Sequence, residues 1–329
     1  MKPKVSIIIA NRNDVAMLSV TVRSCIEELR PVGSGEIIIV DNSDPAVYKV
    51  LASALPVGYI KDRVLKVYRQ DFSCLFSARQ TAAEKASGEY IFCLDSHMLV
   101  GRSVIYNLIK FMDKHSYDKT LAFAHAPINW SQQHESRSRH DRDMSTHELG
   151  NWGLAYDHER TITWKGMPWM CRRDWFLDQD KGLNGYGALA KNKVSWGGGD
   201  MYLGIKPWLL GFKNWAVPTN PCIHIGPFPE TNKETAATRS VRRQNKYRVY
   251  GSSGEHPHSF GFLVACYILG GEPMMERNKD AIVERFNLDV NGLWDKAIEL
   301  GQEEKHWLDE RKVMSFEELL ERKPWDANV

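Results

Sequence analysis

The chain has 329 residues, with 43 Lys and Arg against 41 Asp and Glu, for a formal net charge of +2. This length suits one large domain or two closely packed ones, and the balanced charge excludes a broad electrostatic surface for nucleic acid or membrane. The sequence contains no apolar run near the ~18 residues of a membrane span and shows no signal-peptide pattern. Six scattered cysteines without Cys-x-x-Cys pairs predict reduced thiols, so we expect a soluble cytoplasmic protein.

Apolar strands alternate with helices through the first hundred residues. The predicted elements, in chain order, are a strand at Val5–Ala10, a helix at 14–30, strands at Glu36–Asp41 and Val64–Tyr68, a small-residue helix at Ser77–Ser87 and a strand at Tyr90–Leu94. Continuously apolar strands are typical of a sheet that is buried on both faces. Repeated strand–helix units therefore predict an α/β fold with a mostly parallel sheet and helices on both faces.

Two of the predicted strands end in an acid, Asp41 and Asp95. Ligands of open parallel sheets bind at the carboxyl ends of the strands. His97 follows Asp95 by two residues, so both side chains lie on one side of an extended segment and can bind one divalent ion, which could hold a diphosphate. The alternative is that Asp95 caps the next helix and that His97 is an ordinary loop histidine.

The second half of the sequence is less regular. Residues 131–163 are polar and rich in His, Arg, Asp and Trp, which favours a surface or active-site loop. Further elements are predicted as extended structure at Thr161–Cys171, a helix after Trp196-Gly-Gly-Gly-Asp200, extended segments at Asn214–Pro218 and Cys222–His224, and amphipathic helices at Phe260–Leu269 and within 277–322. We predict one domain over 1–255 and a C-terminal helical extension over 256–329 that packs on it.

These segments together resemble the GT-A glycosyltransferases, and more narrowly the polypeptide N-acetylgalactosaminyltransferase-like branch, with family-2 glycosyltransferases as wider relatives. The likeness spans roughly residues 4–250 and rests on Val5–Asn11, Glu36–Ser43, Phe76–Arg79 with Gly88–Tyr90, Leu94–His97, Trp196–Asp200 and Cys222–Gly226. The resemblance implies a GT-A fold, a UDP-sugar donor bound with Mn²⁺ or Mg²⁺, and transfer of a hexose or N-acetylhexosamine to a hydroxyl group.

The resemblance also implies roles for individual residues. Asp95, His97 and His224 would bind the metal ion, although His224 alone, in a Cys-Ile-His-Ile strand, would be interpreted as structural. The nucleotide site would contain Asp41, Asn42, Arg79, Asp95 and Ser96, with Asp41 and Arg79 in contact with the uracil. Trp196 would line the sugar pocket, because three glycines follow it and allow the backbone to approach a ligand.

Asp200 stands where this sequence departs from the branch. The branch has Glu after Trp-Gly-Gly, whereas here that position is Gly199 and the acid follows one residue later. The shift resembles the Glu-Asp motif of inverting family-2 enzymes, whose Asp deprotonates the acceptor, while the overall likeness favours a retaining enzyme. Asp200 is therefore a catalytic base, a group that holds sugar or acceptor hydroxyls, or a helix N-cap.

The acceptor is suggested by a basic run at 239–250, which contains no acid. Its cations are Arg239, Arg242, Arg243, Lys246 and Arg248. Tyrosines interleave with these charges, as in segments that bind nucleic-acid phosphates and bases; the alternatives are a solvated helix face or a clamp on the donor diphosphate. The leading hypothesis is a hydroxymethylated pyrimidine in DNA, as in bacteriophage-type DNA modification. A surface-polysaccharide precursor, protein Ser/Thr and a non-catalytic binding module are the alternatives.

Overall fold

A computed structural model of the protein describes residues 2–56, 58, 64–130, 139–140, 152–153, 159–162, 167–194, 196–225, 260–286 and 289–323. Its strands are β1 (Val5–Asn11), β2 (Gly35–Asp41), β3 (Leu65–Arg69), β4 (Tyr90–Asp95), β5 (Met98–Leu99), β6 (Leu121–His125), β7 (Ile128–Trp130), β8 (Arg139–His140), β9 (Trp152–Gly153), β10 (Glu159–Thr161), β11 (Trp169–Arg172), β12 (Lys213–Ala216) and β13 (Cys222–His224). Its helices are α1 (Val15–Leu29), α2 (Pro45–Ala54), α3 (Leu75–Lys85), α4 (Val104–Lys114), α5 (Arg173–Leu177), α6 (Gly187–Lys191), α7 (Gly199–Leu209), α8 (Phe260–Phe286), α9 (Val290–Asp309) and α10 (Phe316–Arg322).

The central sheet has eight strands in the order β10-β12-β6-β11-β4-β1-β2-β3. The four strands β3, β2, β1 and β4 are mutually parallel, as the alternation of strand and helix predicts. Their apolar runs are buried throughout, because helices cover both faces of a sheet made from crossover units. The register pairs Asn11 with Asp41 and Ala10 with Asp95, so both acids lie at one edge of the sheet.

The extended structure predicted over Thr161–Cys171 belongs to two different strands. The structure has two separate strands there: β10 pairs with β12 at the end of the sheet, while β11 lies antiparallel between β4 and β6. Both segments are extended, and they are recognised as two strands only because each one pairs with different strands that are distant in sequence. The predicted α/β architecture with a mostly parallel sheet is confirmed.

A second, three-stranded sheet lies beside the first, in the order β5-β13-β7. Its β13 is antiparallel to β5, with His224 opposite Met98, and parallel to β7. The extended segment predicted after residue 213 is therefore divided between the two sheets, since β12 pairs with β6. This division carries His224 back to the loop that follows β4.

The helices after residue 260 pack on the rest of the structure. Helix α8 is kinked at Gly271, where φ is 69° and ψ is −162°, and α9 runs back along it. The predicted domain boundary at 255/256 lies outside the described residues and stays a prediction. The six cysteines are all buried and free, as predicted. Among the helices in the described ranges, none is both long and apolar enough to cross a bilayer.

Candidate active site

Asp95, His97 and His224 converge at the carboxyl edge of the central sheet, with candidate ligand atoms within 4.8 Å of one another. His97 Nε2 lies 3.1 Å from His224 Nε2, and the two rings meet edge to face. His224 Nε2 lies 3.7 Å from Asp95 Oδ2. The sequence predicted this trio, and the structure brings all three side chains together.

The donor atoms of this cluster fit a first-row divalent ion. One carboxylate oxygen and two imidazole nitrogens form a mixed O/N set of the kind that binds Mn²⁺. His97 Nδ1 lies 3.3 Å from Asp14 Oδ2. If Nδ1 donates to this carboxylate, the neutral ring presents the lone pair of Nε2 to the cluster, as in carboxylate–histidine–metal sites. The sequence indicated Asp14 only as a helix-start signal.

Arg79 keeps Asp95 in its charged form. Its Nη2 lies 2.5 Å from Asp95 Oδ1. Burial by itself raises the pKa of the Asp95 carboxyl, but Arg79 and the two histidines outweigh that effect and hold the pKa below its usual range. Asp95 is therefore anionic near neutral pH, which a metal-binding carboxylate requires.

The position of Arg79 bears on its predicted contact with the uracil. Its side chain projects from α3, is 5% exposed and is engaged with Asp95 beside the metal-binding trio. Burial opposes its charge, but neighbouring groups, including Tyr186, Asp95 and Asp200, raise the pKa of the guanidinium above its usual range. Arg79 thus links Asp95 electrostatically with Asp200. The uracil contact stays a prediction.

Asp41 is fully buried at the end of β2. Its carboxylate accepts hydrogen bonds from Asn11 Nδ2 at 2.6 Å, Ser43 Oγ at 2.7 Å and Arg69 Nη1 at 3.0 Å. Asn42, beside it, is also buried. This network orders the strand end next to the trio, and the nucleotide contacts predicted for Asp41 and Asn42 stay predictions. The sequence did not single out Asn11 or Arg69.

Ser96 lies between the two predicted ligands on the β4–β5 loop and is buried. Its carbonyl oxygen accepts a hydrogen bond from Thr21 Oγ1 at 2.9 Å, and its own Oγ lies 3.4 Å from His97 Nδ1. These contacts hold the conformation of the loop that carries the candidate metal ligands. A contact between Ser96 and the nucleotide stays a prediction.

The Trp196–Asp200 segment leads into α7, and its glycines are packed against protein. A Cβ at Gly198 would lie 2.8 Å from the Gly261 carbonyl oxygen, and a Cβ at Gly199 would lie 2.6 Å from Phe76 Cε1. A side chain at Gly198 or Gly199 would therefore clash with protein, and the approach of a ligand to this backbone stays a prediction. The two glycines allow α8 and α3 to approach closely.

Asp200 lies in the first turn of α7, and the N-cap is Gly198, at φ 72°. The N-cap interpretation of Asp200 is therefore wrong, and the two interpretations that involve substrate remain. Trp196 is 38% exposed and meets Phe262 edge to face at 5.8 Å between ring centroids. An exposed indole face on a braced ring is consistent with the predicted pocket wall, which stays a prediction.

The cations of the basic run, Arg239, Arg242, Arg243, Lys246 and Arg248, lie outside the described residues. The same holds for most of the polar segment at 131–163, of which the structure describes the short strands β8, β9 and β10 and part of the flanking chain. Both predictions about the acceptor therefore rest on sequence alone.

The sheet order and the carboxylate and two histidines at its carboxyl edge agree with the GT-A class of protein, and comparisons with known proteins establish this fold. Residues 6–166 match the model of glycosyl transferase family 2. The structure is similar to GalNAc-T7 solved with UDP, GalNAc and Mn²⁺, with a TM-score of 0.61 and 18% identity over 92% of this chain and 55% of that one.

Two structures of TarS from S. aureus are also similar. One gives a TM-score of 0.52 at 12% identity over 96% of this chain and 51% of TarS. The other, TarS 1–349 in complex with UDP-GlcNAc, gives 0.51 at 12% identity over 96% of this chain and 85% of that one. The chain thus spans about half the length of GalNAc-T7 and of the longer TarS chain. No curated protein sequence matches it.

The resemblance predicted from the sequence is confirmed at the level of the fold, which is GT-A, and residues 6–166 match the model of glycosyl transferase family 2. At identities below 20% the structural neighbours establish the fold. The chemistry has to be argued from the residues of this chain.

Proposed function

We propose that this protein is a metal-dependent glycosyltransferase that moves a hexose or N-acetylhexosamine from a UDP-sugar to a hydroxyl acceptor. The observation that carries the proposal is the convergence of Asp95, His97 and His224 at the carboxyl edge of a GT-A sheet. The neighbours solved with UDP, GalNAc and Mn²⁺ and with UDP-GlcNAc support a donor and an ion of these kinds.

The trio would hold a divalent ion, which when bound supplies positive charge that stabilises the departing diphosphate. The protein residues prepare that site. Asp95 is kept ionised by Arg79, and Asp14 Oδ2 lies 3.3 Å from His97 Nδ1. Asp200, in the first turn of α7, would be the carboxylate that contacts the acceptor or the sugar.

Asp200→Asn distinguishes the two substrate-related roles of Asp200. If Asp200 is the base of an inverting enzyme, turnover should fall by about 10²–10⁴-fold with little change in donor affinity, because a positioned base contributes that much. If Asp200 only holds hydroxyls, the loss should be smaller and the Michaelis constant should rise. NMR of the anomeric coupling in the product, measured beside the kinetics, assigns inversion or retention independently.

Hydrolysis of UDP-sugars tests the proposed function without an acceptor. The protein with Mn²⁺ should release UDP slowly from UDP-glucose, UDP-galactose or their N-acetyl forms, and EDTA should stop the release. GDP-mannose and dTDP-glucose serve as controls for the base. A protein that binds UDP-sugars but never releases UDP, with or without acceptors, would instead be the non-catalytic binding module.

For the acceptor, we propose a hydroxymethylated pyrimidine in DNA. The acid-free basic run with interleaved tyrosines supports it, and the near-neutral overall charge means that binding should be local and sensitive to salt. Transfer of labelled sugar to hydroxymethylated DNA, with unmodified DNA as the control, measures the activity directly.

Changing Arg242 and Arg243 together to Ala should weaken DNA binding and flatten its salt dependence, since each phosphate contact contributes about one unit to the salt slope. UDP-sugar hydrolysis should stay unchanged. If the double variant instead loses UDP affinity alone and hydroxymethylated DNA accepts no sugar, the basic run is a clamp on the donor. The acceptor is then to be sought among polysaccharide precursors and protein Ser/Thr.

A further inference from the structure

A row of polar side chains on α1 follows the loop that carries the predicted metal ligands. Asp14, Thr21, Ser24 and Glu28 are spaced by seven, three and four residues, which places them along one face of the helix. We call these four residues the α1 polar stripe. The other buried residues of α1 are mostly apolar and include Leu18, Val22 and Ile26, so the stripe is a polar face on a helix that packs mainly through apolar side chains.

Thr21 holds the backbone on both sides of His97. Its Oγ1 donates to the Ser96 carbonyl oxygen at 2.9 Å and accepts from the Met98 amide at 3.0 Å. Thr21 is fully buried. A single hydroxyl therefore satisfies the donor and the acceptor that flank the histidine, and it fixes the direction in which the His97 side chain leaves the chain.

Asp14 holds the ring of the same histidine. It is the N-cap residue of α1, yet its side chain makes no capping hydrogen bond. Its Oδ2 lies 3.3 Å from His97 Nδ1 instead. An N-cap aspartate normally accepts hydrogen bonds from the amides of the first helical turn. The Asp14 carboxylate contacts the His97 ring instead, and this contact is a specific feature of the site.

The stripe continues along the loop away from His97. Ser24 Oγ accepts from the Val100 amide at 3.2 Å, and Glu28 Oε1 accepts from the Ser103 amide at 2.9 Å. On the other side of the loop, the His97 carbonyl oxygen accepts from the Ile225 amide at 2.9 Å, next to His224. Helix α1 and strand β13 thus hold the loop from opposite sides.

We infer that the α1 polar stripe positions the metal site, with Asp14 setting the tautomer and orientation of the His97 ring and Thr21 setting its backbone. Both residues act through His97 and are positioning residues. The inference rests on the metal site of the proposed function. Partners that orient metal-binding histidines typically contribute about 10–100-fold to metal affinity.

The test is the affinity of the protein for Mn²⁺ alone, measured by the loss of the free-ion EPR signal on titration. Asp14→Ala should weaken binding about 10–100-fold. Asp14→Asn, whose amide oxygen can still accept from Nδ1, should lose less. Thr21→Val keeps the shape and removes both hydrogen bonds, so it should also weaken binding, and Thr21→Ser, which keeps the hydroxyl, should restore most of the affinity.

Asp44→Ala is the matched control. Asp44 is the N-cap of α2, also lacks a side-chain capping bond, and contacts Asn13 rather than a histidine. The Asp44→Ala variant should bind Mn²⁺ with the affinity of the wild-type protein. Thermal unfolding of each metal-free variant shows whether it is folded, and the partly exposed Asp14 keeps the test valid if Thr21→Val does not fold.

Two failures are distinguishable. If the wild-type protein binds no Mn²⁺, the metal site of the proposed function fails. If the wild type binds Mn²⁺ and both Asp14→Ala and Thr21→Val bind it equally well, the site stands and the positioning role of the stripe is overturned.

Discussion

Replacing His224 with Ala should lower sugar transfer by about 10³-fold and abolish tight Mn²⁺ binding. A bound ion stabilises the leaving diphosphate by several kcal/mol, and each 1.36 kcal/mol is about tenfold in rate. His224 contributes one of the three donor groups, and its Nε2 faces both Asp95 and His97. Calorimetric titration of Mn²⁺ and the rate of UDP release with a fixed UDP-sugar measure the two effects.

His224→Ala is a cleaner change than Asp95→Ala. Removing the Asp95 carboxylate would also leave the buried guanidinium of Arg79 without its ion-pair partner at 2.5 Å, so stability would fall together with metal binding. His306→Ala is the control, because this histidine lies on the surface of α9 with 78% of its side chain exposed. Full turnover of His224→Ala, or of wild-type protein in EDTA, would contradict the assignment.

Replacing Glu304 with Ala should destabilise the protein by about 3–5 kcal/mol, because it leaves a buried charge unpaired. Glu304 lies on α9 and pairs with the fully buried Lys206 of α7. Its carboxylate also accepts from Tyr202 Oη at 2.7 Å and from the Ala188 amide at 3.0 Å. Burial lowers the pKa of Lys206, because it disfavours the charged ammonium. Glu304 acts in the opposite direction and stabilises that charge.

The neighbouring residue provides the control. Glu303 forms an ion pair with Lys191 at 2.5 Å on the surface. The Glu303 side chain is 76% exposed and the Lys191 side chain is 63% exposed. Exposed ion pairs contribute at most about 1 kcal/mol, so Glu303→Ala should leave the urea midpoint almost unchanged. Similar losses for the two variants would mean that the buried pair does not join α9 to the helix that carries Asp200.

Several features could be predicted from the sequence because they depend on local patterns. Continuous apolar runs such as Ile37–Val40 favour buried parallel strands, and an acid directly after such a run lies at the carboxyl edge of the sheet. Asp95 and His97 are only two residues apart, so their proximity follows from backbone geometry. The mostly parallel sheet and the Asp95/His97 pair were predicted in this way, whereas the GT-A fold and the role of His224 were implied by the family resemblance.

Other features could not be predicted from the sequence, because they depend on contacts between residues that are far apart in the chain. Helix α4 and strand β6 carry clear apolar patterns between residues 104 and 125 but were not predicted. The extended structure predicted over Thr161–Cys171 was not divided into β10 and β11, because pairing partners cannot be deduced from local sequence. The role of the glycines before Asp200 also depends on α8 and α3, which the sequence does not place beside them.

The sequence by itself determined the sheet, its acidic edge and the ligand types of the site. Only the tertiary structure decided that β13 returns His224 to within 3.1 Å of His97, that Arg79 forms an ion pair with Asp95, and that the Asp14 carboxylate lies beside the His97 ring. The physical reason is that strand ends and side-chain spacing follow from short-range backbone geometry. The partner of each buried charge or imidazole is instead chosen by the packing of elements that are distant in sequence.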